Sequence, residues 1–227
     1  MSRKAVTDQE ALDYHQYPSP GKILVEASTA LETQKDLSLA YTPGVAVPCL
    51  EIQKNPENAY KYTAKSNLVG VISNGTAVLG LGNIGALASK PVMEGKGILF
   101  KKFSGLDCFD IELDTESVDR FCSVVTAMAP TFGGINLEDI QSPECFEIER
   151  RLVEELDIPV MHDDQHGTAV ISAAAIMNAC KITGKQLDKL KVVVVGAGAA
   201  AISCARLYKD MGVKIIYMLD SKGVIHA

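Results

Sequence analysis

The 227-residue sequence has no Cys-x-x-Cys pair, although it contains six cysteines. They stand singly along the chain, at Cys49, Cys108, Cys122, Cys145, Cys180 and Cys204. This spacing excludes a zinc ribbon and a thioredoxin-type redox site, since both need closely paired cysteines. Free thiols are typical of a reducing compartment, so we expect a cytoplasmic protein.

The sequence also lacks a long apolar run. Residues 1–31 carry charges and prolines throughout and contain no apolar core of the kind that a signal peptide needs. No segment approaches the roughly 20 apolar residues of a membrane span, and we interpret residues 169–179 as a buried helix instead. We therefore expect no leader peptide and no membrane partner.

Positive charge is scarce as well. The 22 Lys and Arg residues are outnumbered by 28 Asp and Glu residues, which gives a formal net charge of −6. An acidic surface does not attract nucleic acid or anionic membranes, so we expect no nucleic-acid partner. Apolar residues, in contrast, make up 47% of the chain, enough to bury a core in one large or two small domains.

Hydrophobic patterning predicts an α/β protein. After a polar, proline-rich arm over residues 1–35, apolar runs predict strands at 68–73, 98–103, 109–113, 133–138 and 158–161. A turn after the first of these predicts a hairpin with a return strand at 76–79. Helices are expected at 7–15, 59–62, 116–129 and 143–156. A final helix, strand, helix and strand at 167–181, 190–195, 199–211 and 213–219 form a βαβ unit, so we expect a boundary near Gly167.

Two glycine-rich turns are candidates for dinucleotide binding. Residues 80–85 spell the fingerprint in full, but Pro91 is expected to end the next helix after little more than one turn, so we interpret this segment as a tight turn. The second turn follows a strand, opens an uninterrupted helix, and precedes an acid that can bind the adenosine ribose. An ordinary crossover turn is the alternative. This predicted site comprises Gly196, Ala197, Gly198, Ala199, Ala200, Ala201 and Asp220.

Acidic pairs follow two short apolar segments just upstream of that turn. Glu138, Asp139 and either Asp163 or Asp164 offer hard oxygen ligands, which Mg²⁺ and Mn²⁺ prefer. Glu138 and Asp139 can bind one ion only if the backbone turns between them, because neighbouring strand residues point to opposite faces. The alternative is a set of exposed acids at strand ends. Histidines at 162 and 166 have the spacing of a zinc protease motif, but a strand precedes them, so we expect one to pack and one to hydrogen-bond.

The assembled motifs resemble those of the malic enzyme family, of the compact bacterial type. The resemblance runs from about residue 14 to the end of the chain. Its segments are Y-T-P-G-V-A at 41–46, S-N-G-T-A-V-L-G-L-G-N-I-G at 73–85, P-V-M-E-G-K at 91–96, F-G-G-I-N-L-E-D at 132–139 and H-D-D-Q-H-G-T-A at 162–169. This resemblance implies a substrate and metal domain over residues 1–166, followed by the start of a Rossmann dinucleotide-binding domain over residues 167–227.

The resemblance also implies an activity and its residues. The reaction would be the oxidative decarboxylation of (S)-malate to pyruvate and carbon dioxide, with reduction of NAD or NADP and a requirement for Mg²⁺ or Mn²⁺. Lys96 would be the general base and Tyr41 the general acid, and the metal ligands would be Glu138, Asp139 and Asp164. A lysine accepts a proton only when neutral, so we expect burial or nearby positive charge to lower the pKa of Lys96.

Two departures from the family pattern lead to further expectations. Larger eukaryotic relatives carry Gly-Glu-Arg where this chain has Gly-Thr-Ala at 75–77, so we expect Ser73, Asn74 and Thr76 to bind the substrate in place of that arginine. The chain ends after the first βαβ unit, as a fragment would.

Acidic Asp220 favours NAD, whereas Ser221, Lys222 and the resemblance favour NADP. We expect a homodimer or higher homo-oligomer. Two alternatives remain: a non-catalytic binding or assembly module, and another metal-dependent β-hydroxyacid oxidative decarboxylase.

Overall fold

The computed structural model describes residues 6–225 and confirms an α/β fold. The strands are β1 (Leu68–Ser73), β2 (Asp107–Glu112), β3 (Gly134–Leu137), β4 (Val160–His162), β5 (Lys191–Val195), β6 (Ile215–Asp220) and β7 (Gly223–Val224). The helices are α1 (Asp8–Gln16), α2 (Gln34–Ala40), α3 (Ala46–Lys54), α4 (Ala59–Tyr62), α5 (Ala86–Ser104), α6 (Val118–Met128), α7 (Glu144–Glu155), α8 (Asp163–Thr183) and α9 (Ala199–Asp210). Most predicted strands and helices are confirmed to within a few residues.

The first sheet is parallel, with strand order β2-β1-β3-β4. Successive strands are connected through α5, α6 and α7. The order reverses between β1 and β3, because the chain moves outward from β1 first to one side and then to the other. In open parallel sheets, the carboxyl ends of the strands at such a reversal border a ligand-binding crevice. Both acidic pairs follow strands of this sheet.

Helices cover both faces of this sheet. Val71 and Ile72, neighbours on β1, point to opposite faces and are both fully buried. On one face Val71 packs with Met93 of α5, and on the other Ile72 packs with Phe121 of α6 and with α7. Each such side chain contributes about 1.5–3 kcal/mol by leaving water, so this double-sided core holds the strand ends at the crevice in place.

The second sheet carries the βαβ unit. β5 pairs with β6 in parallel, and β6 pairs with the short β7 in antiparallel orientation. Buried residues of α8 and α9, including Ala169 and Cys204, form a separate small core against this sheet. The predicted boundary near Gly167 lies inside α8, which starts directly after β4. One continuous helix therefore links the carboxyl end of the first sheet to the second sheet.

Helix α5 overturns two predictions. Residues 98–103 are not a strand but the last turns of this 19-residue helix, and Pro91 lies inside the helix without ending it. Pro91 removes one helical hydrogen bond, to the carbonyl of Leu87. Leu87 is 84% exposed, so water can satisfy that carbonyl, while packing of the buried face against β1 and β2 retains the helix.

The predicted hairpin after β1 is also wrong. Residues 74–79 form a loop in which Val78 makes a single bridge to Gly82 and no return strand pairs with β1. Side-chain hydrogen bonds, from Thr76 Oγ1 to Asn74 Oδ1 at 2.7 Å and from Gln141 N to Thr76 Oγ1 at 3.0 Å, hold the loop against the segment after β3. These bonds replace the strand pairing that an Asn-Gly turn usually introduces.

The N-terminal part lies mostly at the surface. Helices α1, α2 and α3 contain no buried residue, as the proline-rich composition of the predicted arm suggests, although residues 1–5 of that arm lie outside the described range. The arm is attached to α5 by the backbone N–H of Lys22, which donates to Glu94 Oε2 at 2.8 Å. Within residues 6–225, no helix has both the length and the apolar character needed to cross a membrane.

Candidate active site

Three carboxylates converge at the crevice between β1 and β3. Glu138 and Asp139 follow β3, and Asp164 lies in the first turn of α8, directly after β4. Oxygen atoms of the three residues all lie within 4.8 Å of one another. The acidic pattern left Asp163 and Asp164 open as the third member and the resemblance implied Asp164; Asp164 is the one that lies in the cluster.

The backbone turns between Glu138 and Asp139, as one shared site requires. β3 ends at Leu137, and Asp139 adopts a left-handed conformation with φ of 52°, which is uncommon for a residue with a side chain. This conformation is held from both sides. The Asp139 N–H donates to Asp164 Oδ2 at 2.9 Å, and its carbonyl accepts from Ala77 N at 3.0 Å.

Lys96 reaches this cluster from α5. Its Nζ donates to Asp163 Oδ2 at 2.6 Å and lies 3.1 Å from Glu138 Oε2. Gly167 makes room for Asp163, because a Cβ atom at that position would overlap the Asp163 carboxylate. The two neighbouring aspartates of α8 therefore have separate partners: Asp163 binds the lysine, and Asp164 completes the carboxylate cluster.

Burial shifts the protonation of this site. It raises the pKa of Glu138 to about 7, although Lys96 opposes the shift, and it raises the pKa of Asp139 to about 6, with a further contribution from Asp164. For Lys96, burial works toward a lower pKa, but Asp163 and Glu138 outweigh it and hold the pKa above its ordinary value. The expected lowering of the Lys96 pKa is therefore not produced by the side chains of this chain, which keep the group charged.

The donor set fits a divalent cation that prefers hard ligands. Three carboxylates are the ligands that Mg²⁺ and Mn²⁺ favour. One oxygen, Asp139 Oδ2, is buried and has no hydrogen-bond partner among residues 6–225, which is costly unless a cation or water satisfies it. A cation would also relieve the repulsion that raises the pKa of Asp139 beside Asp164.

The loop of Ser73, Asn74 and Thr76 lies at the carboxyl end of β1, with all three residues buried. Their polar groups already have partners within the protein: Ser73 Oγ accepts from Gly75 N at 2.9 Å, and Asn74 Nδ2 donates to the Thr115 carbonyl, beyond β2, at 3.1 Å. Binding of substrate by these three residues stays a prediction. Their observed contacts fix the shape of the crevice wall.

Tyr41 is not brought into the cluster. It follows α2, its side chain is 69% exposed, and its hydroxyl makes no hydrogen bond to any residue in the described range. Its role as general acid therefore stays a prediction.

The glycine-rich turn at 196–201 joins β5 to α9 as predicted. Gly196 has a positive φ of 117° and donates its N–H to the Leu219 carbonyl at 2.8 Å, while Gly198 is the N-cap of α9. A Cβ at either glycine would meet nothing within 4 Å, so the turn is open to a close ligand. Asp220 ends β6, next to β5.

Pro91 does not end the helix that follows the turn at 80–85, so the reason given for interpreting that segment as a tight turn is wrong. What separates the two turns is their position relative to a strand. Gly196 directly follows β5, whereas Gly80 is separated from β1 by the 74–79 loop. A phosphate-binding turn needs the strand immediately before it, so the preference for the turn at 196–201 keeps a structural basis.

The two histidines of the H-D-D-Q-H segment have separate surroundings. His162 is fully buried, and its Nε2 lies 3.2 Å from Asp164 Oδ2 without hydrogen-bond alignment. His166 Nε2 instead lies 2.8 Å from Glu149 Oε1 on α7. His162 therefore packs, as expected, whereas His166 pairs with a carboxylate of α7; neither belongs to the group of possible metal ligands found within residues 6–225.

Sequence reasoning missed two residues that hold the cluster. Asn136 of β3 donates through Nδ2 to Glu138 Oε2 at 2.8 Å, as strand alternation continued one residue past the end of β3 would place them. Glu149, on α7, accepts hydrogen bonds from the segment that carries both aspartates. The Asn136 contact could have been found from strand alternation, whereas nothing in the sequence points to Glu149.

Comparison with known proteins identifies the family of this chain. The family description "Malic enzyme, N-terminal domain" matches residues 20–153, and "Malic enzyme, NAD binding domain" matches residues 165–227. The chain is 63% identical to the NADP-dependent malic enzyme of Escherichia coli K12 and 58% identical to an NAD-dependent malic enzyme of Rhizobium meliloti 1021. Each of the two alignments covers 96% of this chain and 29% of the relative.

A solved structure shows the same fold. The malic enzyme of Pyrococcus horikoshii superimposes with a TM-score of 0.90 at 49% identity, over 95% of this chain and 51% of that one. The chain thus spans less than a third of the curated relatives' length and about half of this solved structure. Since the N-terminal domain description alone matches more than half of its residues, this chain belongs to the malic enzyme family.

Proposed function

We propose that this chain supplies the substrate and metal site, and the start of the dinucleotide site, of an enzyme that converts (S)-malate to pyruvate and carbon dioxide while reducing NADP or NAD. One observation carries the proposal: Lys96 Nζ lies 3.1 Å from Glu138 Oε2, within a carboxylate cluster at the strand-order reversal. Membership of the malic enzyme family supports it. The E. coli relative is named as NADP-dependent and the Rhizobium relative as NAD-dependent, which supports one of these two cofactors.

The two binding functions are assigned to different parts of the chain, one around each sheet. We assign substrate and metal binding to residues 1–166 and the start of the dinucleotide-binding domain to residues 167–227. Helix α8 belongs to both, because its first turn carries Asp163 and Asp164 while its later turns pack on α9.

Glu138, Asp139 and Asp164 would hold Mg²⁺ or Mn²⁺. A cation held there would polarise the C2 oxygen of malate and offset the negative field that keeps Lys96 protonated. The unpartnered Asp139 Oδ2 and the close approach of the three carboxylates support this assignment.

Lys96 is the group we assign to take the proton from the malate C2 hydroxyl. It is the one lysine that contacts the carboxylate cluster within the described residues, and its side chain is only 21% exposed. Tyr41 is assigned to return a proton to C3 after carbon dioxide leaves. Because Tyr41 lies in a surface segment, this second role requires that segment to close over the crevice or to meet another copy of the chain.

The turn at 196–201 would hold the cofactor, which would supply the hydride acceptor for C2 of malate. The free approach to Gly196 and Gly198 and the N-terminus of α9 support pyrophosphate binding there. We favour NADP, with Ser221 and Lys222 next to the 2′-phosphate. A titration of the full-length protein with both cofactors tests the choice, and a lower KM for NAD would overturn it.

Loss of turnover in Lys96→Ala tests the central proposal. Malate-dependent cofactor reduction with Mn²⁺ should fall by about 100- to 10,000-fold in kcat, the usual contribution of a general base. Lys101→Ala is the matched control, because Lys101 lies on the same helix and makes an exposed ion pair with Asp107. Absence of malate turnover in the wild-type full-length protein would favour a non-catalytic module, and turnover of another β-hydroxyacid alone would favour a different decarboxylase.

We also propose a homo-oligomer. The N-terminal part exposes many apolar side chains that a second copy could cover, among them Leu24, Val25, Leu39, Tyr41 and Val47. Sedimentation of the wild type against Leu24→Asp would test this, since a charge in a self-association surface should shift the protein toward monomer.

The thiols support a reducing, cytoplasmic location. All six cysteines are free, and every one except Cys49 is buried. Burial raises the pKa of Cys108 and of Cys145 to about 11, so these thiols hardly form the reactive thiolate. Thiol titration of the native protein should therefore detect Cys49 first, and recovery of disulfide-linked protein from cells would contradict the assignment.

A further inference from the structure

One carboxylate outside the cluster accepts two hydrogen bonds from the segment that carries the aspartates and lies close to a histidine of the same segment. Glu149 Oε1 accepts from the His162 backbone N at 2.7 Å and lies 2.8 Å from His166 Nε2. Its other oxygen, Oε2, accepts from Gln165 Nε2 at 3.0 Å. The Glu149 side chain is only 13% exposed, so these charge-assisted contacts are poorly screened by water.

The two donors flank the two aspartates in the chain. His162 immediately precedes Asp163, and Gln165 immediately follows Asp164. His162 is also the N-cap of α8 and makes no capping bond with its own side chain, so Glu149 is what binds the helix start. The direction in which Asp164 points thus depends on a backbone that Glu149 holds from the side of α7.

The contacts continue to the dinucleotide side. Ser203 Oγ of α9 donates to Gln165 Oε1 at 3.4 Å, and Gln165 is buried. Helix α9 begins at the glycine-rich turn, so the same chain of polar contacts runs from α7 past the carboxylate cluster to the helix assigned to the cofactor.

We infer that Glu149 is a positioning residue for the metal site: by binding His162, Gln165 and His166, it sets the orientation of Asp164 in the carboxylate cluster. This inference rests on the proposed metal site. Groups that orient a ligand from behind typically account for 10- to 100-fold in metal affinity. Glu149 acts on the backbone rather than on the ligating carboxylate, so we expect the lower end of that range.

Glu149→Gln in the full-length protein tests the role. The substitution keeps one acceptor but places an NH₂ group opposite the Gln165 donor. The dissociation constant for Mn²⁺, measured by electron paramagnetic resonance without malate or cofactor, should rise about 10-fold. Hydrogen exchange of residues 160–166, measured before metal is added, should become faster. Glu147→Gln is the matched control, because Glu147 lies on the same helix and makes an exposed pair with Arg150; both quantities should stay within twofold.

The outcomes separate this role from a general loss of stability and from the proposed function. A Glu149→Gln protein that melts at a lower temperature but binds Mn²⁺ within twofold of the wild type would overturn the inference. If Glu149→Gln does not fold, Gln165→Met decides instead, with an expected rise of about threefold and an unchanged constant as the opposing result. A wild-type protein that binds no Mn²⁺ would overturn the metal site itself.

Discussion

Binding of Mn²⁺ should release protons from Glu138 and Asp139. The number released depends on the pKa values of these two carboxylates, which burial raises. A carboxylate coordinates a cation in its deprotonated form. With pKa values raised to about 7 for Glu138 and about 6 for Asp139, both groups hold protons in the neutral range. At pH 6, binding should therefore displace about 1.4 protons, about 0.9 from the first and about 0.5 from the second, against about 0.1 at pH 8.

The same protons weaken binding at low pH. Only about one molecule in 20 has both carboxylates deprotonated at pH 6, so the apparent affinity should be about 20-fold lower there than at pH 8. Titration calorimetry in two buffers of different ionisation enthalpy measures the proton count directly. An affinity that is equal at pH 6 and pH 8, with fewer than about 0.3 protons released at pH 6, would refute the assignment of these two groups as buried ligands.

The folding stability of the metal-free protein should depend on pH in the opposite direction to the affinity for Mn²⁺. Burial raises the pKa of Glu138 above its ordinary 4.5, so the folded state binds its proton more tightly than the unfolded chain does. The free energy of unfolding should then fall as pH rises from about 4.5 through about 7, and saturating Mn²⁺ should remove this loss. Thermal melts across this range, with and without Mn²⁺, check the reversal.

Further predictions concern the parts of the fold that hold the site. Phe121→Ala should lower the free energy of unfolding by about 3–5 kcal/mol in urea, because Phe121 is fully buried, while Phe103→Ala, at an exposed position, should change it by less than about 0.5 kcal/mol. Gly75→Ala should destabilise clearly more than Gly80→Ala: both glycines have positive φ, but only at Gly75 would a Cβ overlap a backbone carbonyl, so equal melting temperatures would contradict the contact. Glu112→Gln should stabilise by about 1–2 kcal/mol at pH 8 and have little effect at pH 5, because burial, assisted by Asp110, raises the pKa of Glu112 to about 7; the unfolding free energy at the two pH values checks this.

The parallel strands could be predicted because their sequence pattern is simple. β1 is buried on both faces, so it reads as an uninterrupted apolar run, and its predicted bounds are those observed. The same logic failed for residues 98–103, which contain four large apolar residues and two lysines and are helical. In α5 the positions that face the sheet include small or polar residues such as Ser89 and Gly97, while Leu99 and Phe103 are exposed. Hydrophobic periodicity therefore does not mark the buried face of this helix.

Small residues on that face have a spatial cause. A Cβ at Gly97 would come within 3.1 Å of Ile23 and 3.5 Å of Cys108, so the helix backbone lies close to both the N-terminal arm and β2. This close approach brings Lys96, the residue before Gly97, to the carboxyl end of the sheet. The small residues on the buried face of α5 thus explain both why the helix was not predicted and how Lys96 comes close to the carboxylate cluster.

The carboxylate cluster shows what sequence reasoning can and cannot predict. Strand ends and acidic pairs predicted which segments meet, and the turn required between Glu138 and Asp139 was confirmed by the left-handed φ of Asp139. The choice between Asp163 and Asp164 could not be made from spacing, because neighbouring residues in a helical turn point about 100° apart and either could face the cluster. That choice depends on the rotation of α8 about its axis, and the contacts that fix this rotation come from Glu149 on another helix. Glu149 lies 13 residues before His162 and belongs to no motif. The motif alone therefore cannot show which of the two aspartates faces the cluster.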